Sequence, residues 1–318
     1  MTKSRFNPKR AIQYFMEIIK QFKALSDPTR LRLLFILEHF ELNVNEIVSV
    51  VNMVQSGVSR HLKILLEAGL LVSRKDGSFI YYAADKNGYN RELVVLACRQ
   101  LENDLELQED LARTQQCIML RKNKSRRFFK TAAPRWDRLK RKVLGDFDPN
   151  SVFEDYLQKA SVVADLGCGT GEMLAGLLGS GEKKLIGVDV SPEMLEQARL
   201  RLPESRNLEL RIGELEHLPM REQEADAALM SMVLYHVSEP EKAIREVYRV
   251  LNPGGLFLLV DFLKHDQEQI KDIIGGVWLG FTRQQISGWL ERTGFNLKHF
   301  ESYPVEKTLT LTFYLAQK

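Results

Sequence analysis

Three glycines, Gly167, Gly169 and Gly171, occupy alternate positions of the stretch "ADLGCGTGE" (164–172), directly after an apolar run. In a parallel sheet flanked by helices, ligands sit beyond the carboxyl ends of the strands, where the first strand turns into the first helix. Glycine is needed in such a turn because a side chain blocks the approach of ligand to backbone and because some φ angles there are positive. A dinucleotide fingerprint spaces its glycines Gly-x-Gly-x-x-Gly. Here Glu172 stands where the third glycine would fall, and the Lys-Ser/Thr of a phosphate-binding loop is missing. The turn therefore suits an adenosine ligand without a pyrophosphate. The next apolar run ends at Asp189, whose carboxylate is placed to accept from both ribose hydroxyls. Ser191 and Pro192 then start a helix. A third run ends in "IGELEHLP" (212–219), which sets Glu214 and the backbone of Leu215 level with an adenine ring.

The partner of such a ligand is less defined. "SMVLYHV" (231–237) places Ser231, Tyr235 and His236 after the fourth strand, where an acceptor molecule would dock. His236 is a general base or a structural histidine at a strand-to-helix junction, with Tyr235 beside it. Trp136 is a lid over the ligand or a packing aromatic. Trp278–Phe281, "WLGF", precedes a helix capped by Thr282 and either walls the acceptor pocket or packs in the core.

A second kind of chemistry is written in "QSGVSRHLKILLEAGLL" (55–71). On a helical wheel Val58, Leu62, Leu65 and Leu66 share one arc, and Ser56, Ser59, Arg60 and Lys63 fall on the other. With Gln55, these short polar and basic side chains suit base-edge and phosphate contacts in a major groove of double-stranded DNA. Arg74 and Lys75, on the following hairpin, are placed to lie along the adjoining backbone.

The elements that carry these residues divide the chain. Its 318 residues, 44% hydrophobic and 27% charged, are enough for two cores. The net charge of +3 is too small to argue for nucleic acid by itself. Asp27 and Pro28 start an amphipathic helix, "TRLRLLFIL". "VNEIVSVVNM" gives a second helix, and Gly69 stops a third. Asp76-Gly77 marks a hairpin. One long helical stretch runs from Arg91 to about Leu120, its leucine stripe suited to packing on its own domain or to a homodimer interface. Eleven of the 22 residues from Arg121 to Lys142 are basic and only Asp137 opposes them, a positive linker or lid. After Asn150, "VVADLG", "KLIGVDV", "LELRIGE", "DAALMSMVL" and "LFLLVDF" alternate with helical segments, the pattern of a Rossmann-like parallel sheet. "FNLKHFES" and "KTLTLTFYLA" close it with an antiparallel edge hairpin. The expected boundaries are 1–120, 121–149 and 150–318. Cys98, Cys117 and Cys168 form no CxxC pair, no run is long enough for a membrane, and the basic N-terminus has no apolar signal core. A reducing, cytoplasmic location is expected.

From Phe128 to Lys318 the chain resembles the class I, UbiE-like S-adenosylmethionine-dependent methyltransferases, through "VADLGCGTG", "IGVDVSPEML", "GELEHLP" and "VLNPGGLFLLVDF". The resemblance implies that Asp165, Gly167, Gly169 and Gly171 hold the methionine end of S-adenosylmethionine or S-adenosylhomocysteine, Asp189 the ribose, and Glu214 with Leu215 the adenine. Val190, Met194 and Met230 complete the expected lining. From Ile18 to Lys86 the chain resembles the ArsR-type winged-helix regulators, through "ALSDPTRLRLLFIL", "VSRHLKILLEAGLL" and "RKDGSFIYYA". The metal-sensing members carry Cys-x-Cys where this chain has Asn43 and Asn45. Neutral amides are poor ligands for thiophilic metals, so no metal site is expected. Arsenic methylation is disfavoured because only Cys168 lies in the catalytic domain. The whole reads as a DNA-binding regulator that senses the cofactor or its demethylated product. The alternative is an active small-molecule methyltransferase with an autoregulatory DNA-binding domain.

Overall fold

Asp27 accepts a hydrogen bond from the Arg30 amide at 3.0 Å and Pro28 occupies the first turn, which fixes where the second helix starts. In the computed structural model, which describes residues 8–86, 88–178 and 183–318, the chain forms two compact units that divide between Leu120 and Arg121. The N-terminal methionine-to-asparagine segment 1–7, part of the basic N-terminus, lies outside the described residues.

The first unit runs α1 (Pro8–Leu25), α2 (Pro28–His39), β1 (Leu42–Asn43), α3 (Val44–Val51), α4 (Gln55–Glu67), β2 (Leu71–Asp76), β3 (Phe79–Ala84) and α5 (Arg91–Leu101). Helix α6 (Leu105–Ala132) begins in it. The amphipathic α2 of the sequence is instead a central helix: Leu33, Leu34, Phe35, Ile36 and Leu37 are all buried, which only a helix packed on every side achieves. Gly69 ends α4 with φ +65°, while the Leu70 amide donates to the Leu65 carbonyl at 3.0 Å. Gly77, at φ +61°, turns β2 into β3, and β1 adds to the far side of β3. This is an α+β winged helix. The helical stretch from Arg91 is broken at Glu102–Asp104, because the Asp104 carboxylate accepts from the Leu107 amide at 3.1 Å and starts a new helix. Buried Asp110 of α6 takes the Arg32 guanidinium of α2 and that of Arg113.

The basic stretch after Leu120 is helical and belongs to the second unit. It comprises the last turns of α6, a 3-10 turn (Ala133–Arg135) and α7 (Trp136–Leu144). Then follow α8 (Glu154–Leu157), β4 (Val162–Leu166), α9 (Glu172–Leu178), β5 (Lys184–Asp189), α10 (Pro192–Arg201), β6 (Leu208–Ile212), β7 (Ala225–Ser231), α11 (Pro240–Val250), β8 (Leu251–Phe262), α12 (Glu268–Ile274), α13 (Arg283–Thr293), β9 (Asn296–Pro304) and β10 (Thr310–Gln317). The seven strands lie in the order β6-β5-β4-β7-β8-β10-β9. The first five are parallel, and β10 pairs antiparallel with both β8 and β9. The near-continuous apolar runs of β4, β5 and β7 are buried because helices cover both faces of a parallel sheet. The second unit is thus Rossmann-like with the antiparallel C-terminal hairpin expected of it.

Candidate functional site

The turn after β4 is shaped by backbone. The Gly167 and Cys168 amides donate to the Val188 carbonyl at 2.7 and 3.0 Å, and Gly167, Gly169 and Gly171 take φ of +82°, +51° and +75°. The three glycines have different reasons. A Cβ at Gly167 would lie 2.5 Å from Val233, and at Gly171 2.9 Å from Leu202, so both are packing requirements. A Cβ at Gly169 would meet nothing nearer than Trp136 Nε1 at 3.8 Å; it would stand in the pocket and fill the space a ligand needs.

Asp189 ends β5 with both carboxylate oxygens engaged: Oδ2 accepts from the Gly169 amide and Oδ1 from the Ser191 amide, each at 2.9 Å. Ser191 Oγ in turn accepts from the Met194 amide at 3.2 Å, capping α10. Burial raises the Asp189 carboxyl above its usual range, against the backbone donors. Asp165 on β4 is 3% exposed, and burial plus the charge of Asp189 push it to about 7, with Lys140 opposing.

Asp165, Gly167, Gly169, Asp189 and Val190 line one pocket that opens to solvent. Met194, Glu214, Leu215 and His236 line it too. Three expected residues do not. Gly171 packs under the turn, Met230 is fully buried in β7, and Tyr235 is 1% exposed beneath His236 with its phenol driven far above the ordinary value by burial. Tyr235, expected beside His236 as a catalytic candidate, is therefore not part of the pocket lining. Trp278, Leu279 and Phe281 are core residues.

One wall of this pocket comes from the basic stretch, where Trp136 was expected as a lid or a packing aromatic and the other lining residues were not expected. Lys122, Ser125, Arg126 and Phe129 of α6 and Trp136 and Lys140 of α7 line it. Lys122 Nζ is 2.8 Å from Glu214 and 3.2 Å from Glu216, and Arg126 is 2.5 Å from Glu214. Burial pushes the Glu214 carboxyl up, but these cations outweigh it and hold it below its usual range. Lys140 pairs with Glu172. Asp137 accepts from Thr170 Oγ1 at 2.7 Å and pairs with Arg201, tying α7 to the glycine turn and α10. The signal for this wall was the pairing of the charge run with Phe128, Phe129 and Trp136, since a solvated linker has no use for aromatics.

In the first unit, α4 buries Val58, Leu62 and Leu65 and exposes Gln55, Ser56, Ser59, Arg60 and Lys63. Lys75 is exposed on the hairpin. Arg74 departs from the expectation of a backbone reader: its guanidinium sits on Glu41 at 2.5 and 3.0 Å and over the Tyr81 ring at 5.3 Å. Asn43 caps α3 in a reciprocal box with Glu46, while Asn45 is exposed. Among the described residues no group of three His, Cys, Asp or Glu is arranged to hold a metal, and no helix is long and apolar enough to cross a membrane.

Residues 164–259 match the family model described as methyltransferase domain, and residues 27–73 match that of the bacterial regulatory protein, arsR family. An uncharacterized 37.1 kDa protein in transposon Tn4556 of Streptomyces fradiae is 40% identical over 30% of this chain and 28% of its own. The arsenite methyltransferase of Halobacterium salinarum is 30% identical over 42% of this chain and 37% of its own. The chain thus spans only about a third of the length of these two relatives. The ubiquinone/menaquinone biosynthesis C-methyltransferase UbiE of a Geobacter species is 26% identical over 55% of this chain and 90% of its own. A DNA-binding helix-turn-helix of arsR type is therefore fused to a class I methyltransferase domain.

Proposed function

We propose that this chain, which joins an arsR-type DNA-binding segment to a methyltransferase domain, is a cytoplasmic, homodimeric transcription regulator whose second unit binds S-adenosylmethionine or S-adenosylhomocysteine. Occupancy of that pocket changes the affinity of the first unit for a double-stranded operator. The observation that supports coupling is helix α6: it begins in the first unit, and its last turns supply Lys122, Ser125, Arg126 and Phe129 to the pocket wall. A ligand that orders those turns acts on a helix whose other end is packed in the DNA-binding core through Leu107 and Ile118.

The residues present fit an adenosyl ligand. Gly169 leaves the space open, Asp189 is held by two amides with lone pairs to spare for ribose, and the strip from Glu214 to Leu215 lies on the same pocket. Asp165 is placed for the methionine ammonium. Trp136 lines the pocket beside Gly169. When bound, S-adenosylmethionine supplies an electrophilic methyl group on a sulfonium. The chain's own contribution is alignment, because transfer to a nucleophile that is already competent needs little else. Catalytic turnover on a small molecule is the second reading, favoured by the unpartnered His236 Nε2 on the pocket wall.

Two measurements test the proposal. Calorimetry with both ligands should show Asp189→Ala weakening binding by at least ~1.5 kcal/mol through loss of a charge-assisted contact; equal affinity in wild type and variant removes Asp189 from the site. A DNA site selected from random sequence, titrated at fixed salt, should respond unequally to the two ligands, by about 5- to 150-fold for the stronger. If neither moves the curve while methyl transfer is detected, the protein is an enzyme with a DNA-binding appendage.

A further inference from the structure

An adenosyl ligand accounts for the glycine turn, Asp189 and the strip after β6, and leaves a second part of the same pocket without an occupant. Phe129 of α6, Trp136 of α7 and His236, which follows β7, meet there as a cluster of rings. Phe129 lies 4.7 Å from His236 at 70° and 5.3 Å from Trp136 at 74°, and Trp136 lies 6.0 Å from His236. Met232 and Ser238 line the same pocket.

The polar atoms on this wall carry the argument. His236 Nδ1 is 3.2 Å from the Gly275 carbonyl oxygen, which only accepts, so Nδ1 bears the hydrogen. Burial pushes the imidazole down to about 3, which leaves it neutral. Nε2 is then a bare acceptor. Both Nε2 and Ser238 Oγ are shielded from water, and neither has a hydrogen-bond partner. An unpaired buried polar group is costly, so two of them on one pocket wall mark where a ligand completes the bonding. The ligand is not an anion, because the cations that α6 and α7 bring to the pocket are already paired: Lys122 and Arg126 with Glu214 and Glu216, Lys140 with Glu172.

We propose that this part of the pocket seats a methyl acceptor of the phenol class, its flat uncharged ring against Phe129 and Trp136, its hydroxyl donating to His236 Nε2 and accepting from Ser238 Oγ. The proposal rests on the adenosyl reading of the neighbouring subsite. In the transfer, a lone pair of the phenol oxygen forms the O–CH3 bond as the S–CH3 bond breaks and its electron pair returns to sulfur. The O–H proton passes to Nε2, so the positive charge leaves sulfur and appears on imidazolium. A weak base suffices, since an O-protonated aryl ether is a far stronger acid than an imidazolium.

The test uses the full-length protein saturated with S-adenosylhomocysteine and 4-nitrophenol as probe, buffered below the probe's own ionisation. The probe should bind with the red-shifted absorbance of a phenol donating a hydrogen bond. His236→Ala should weaken it about tenfold, the loss of one hydrogen bond of ~1.4 kcal/mol. His236→Gln, which keeps an acceptor oxygen, should restore part of the affinity. 4-Nitrobenzoate, the same ring with a full charge, should not bind. Unchanged S-adenosylhomocysteine affinity in both variants shows the pocket intact, and with S-adenosylmethionine instead the product 4-nitroanisole should appear by mass spectrometry. Equal probe binding by wild type and His236→Ala, or binding of 4-nitrobenzoate as tight as that of 4-nitrophenol, overturns the acceptor assignment. Failure of the wild type to bind S-adenosylhomocysteine overturns the adenosyl reading, and the acceptor assignment with it.

Discussion

Asp165 is the pocket residue whose behaviour with pH is most exposed to test. Its carboxyl is raised to about 7 by burial and by Asp189, against 3.8 in an unfolded chain. Between those two values the folded state binds a proton that the unfolded state has lost, so stability falls as pH rises through that window and levels off above it. Thermal melts of the ligand-free protein should show this decline, and Asp165→Asn should flatten it. An ammonium beside Asp165 favours the ionised form, so S-adenosylmethionine binding should release a proton and weaken as pH drops below about 7. Calorimetry in two buffers of different ionisation enthalpy reads that proton directly; an identical heat in both removes the ammonium from Asp165. At this scale the sequence was most readable where a residue's task is set by its place at a strand end. Gly169, Asp189 and Leu215, expected on that ground, all line the pocket. Arg74 was not, because the partner that captures it, Glu41, lies 33 residues earlier and nothing in the local pattern announces the pair.

At the scale of elements, local signals succeeded where the backbone itself is the cause. Asp27 and Pro28, Ser191 and Pro192, and the Asp76-Gly77 turn each fixed a boundary through a cap or a positive φ. The break before α6 was illegible because the leucine stripe runs on through Leu101 and Leu105 while Asp104 starts a second helix beneath it. The basic stretch, expected as a linker or lid, is helical for a reason that charge counts do not show: Lys122 and Arg126 pair with Glu214 after β6, and Lys140 with Glu172 at the start of α9. The Asn43–Glu46 box gives a clean expectation. Asn43→Ala should cost about 1 kcal/mol and lower the melting temperature by a few degrees, leaving S-adenosylhomocysteine affinity as it was. A loss of ligand affinity in that variant would mean that the α3 cap does more than hold its helix. On the exposed face of α4, Arg60→Ala should reduce binding to a selected DNA site more than to random DNA if Arg60 reads a base. A uniform loss makes it a phosphate contact.

At the scale of the whole chain, two domain types with their own signatures were each legible, and their joint purpose was not, because coupling is a difference between states rather than a pattern of residues. Thermodynamics nevertheless constrains it tightly. If S-adenosylhomocysteine changes operator affinity by some factor, saturating operator must change S-adenosylhomocysteine affinity by the same factor. The ligand titration repeated with the protein held on its selected DNA should therefore reproduce the factor obtained from the DNA titration, in the same sense and at the same salt. The selected site should be an inverted repeat, since a two-fold dimer presents α4 twice about its axis. Sedimentation at micromolar concentration provides the independent check: a monomer there leaves no two-fold axis and no reason for a repeated half-site. The equality of the two factors is the stricter demand. Unequal factors at matched salt would show that ligand and operator are not both biasing one shared equilibrium. The helix from Leu105 to Ala132 would then be a covalent connection between two units that act separately.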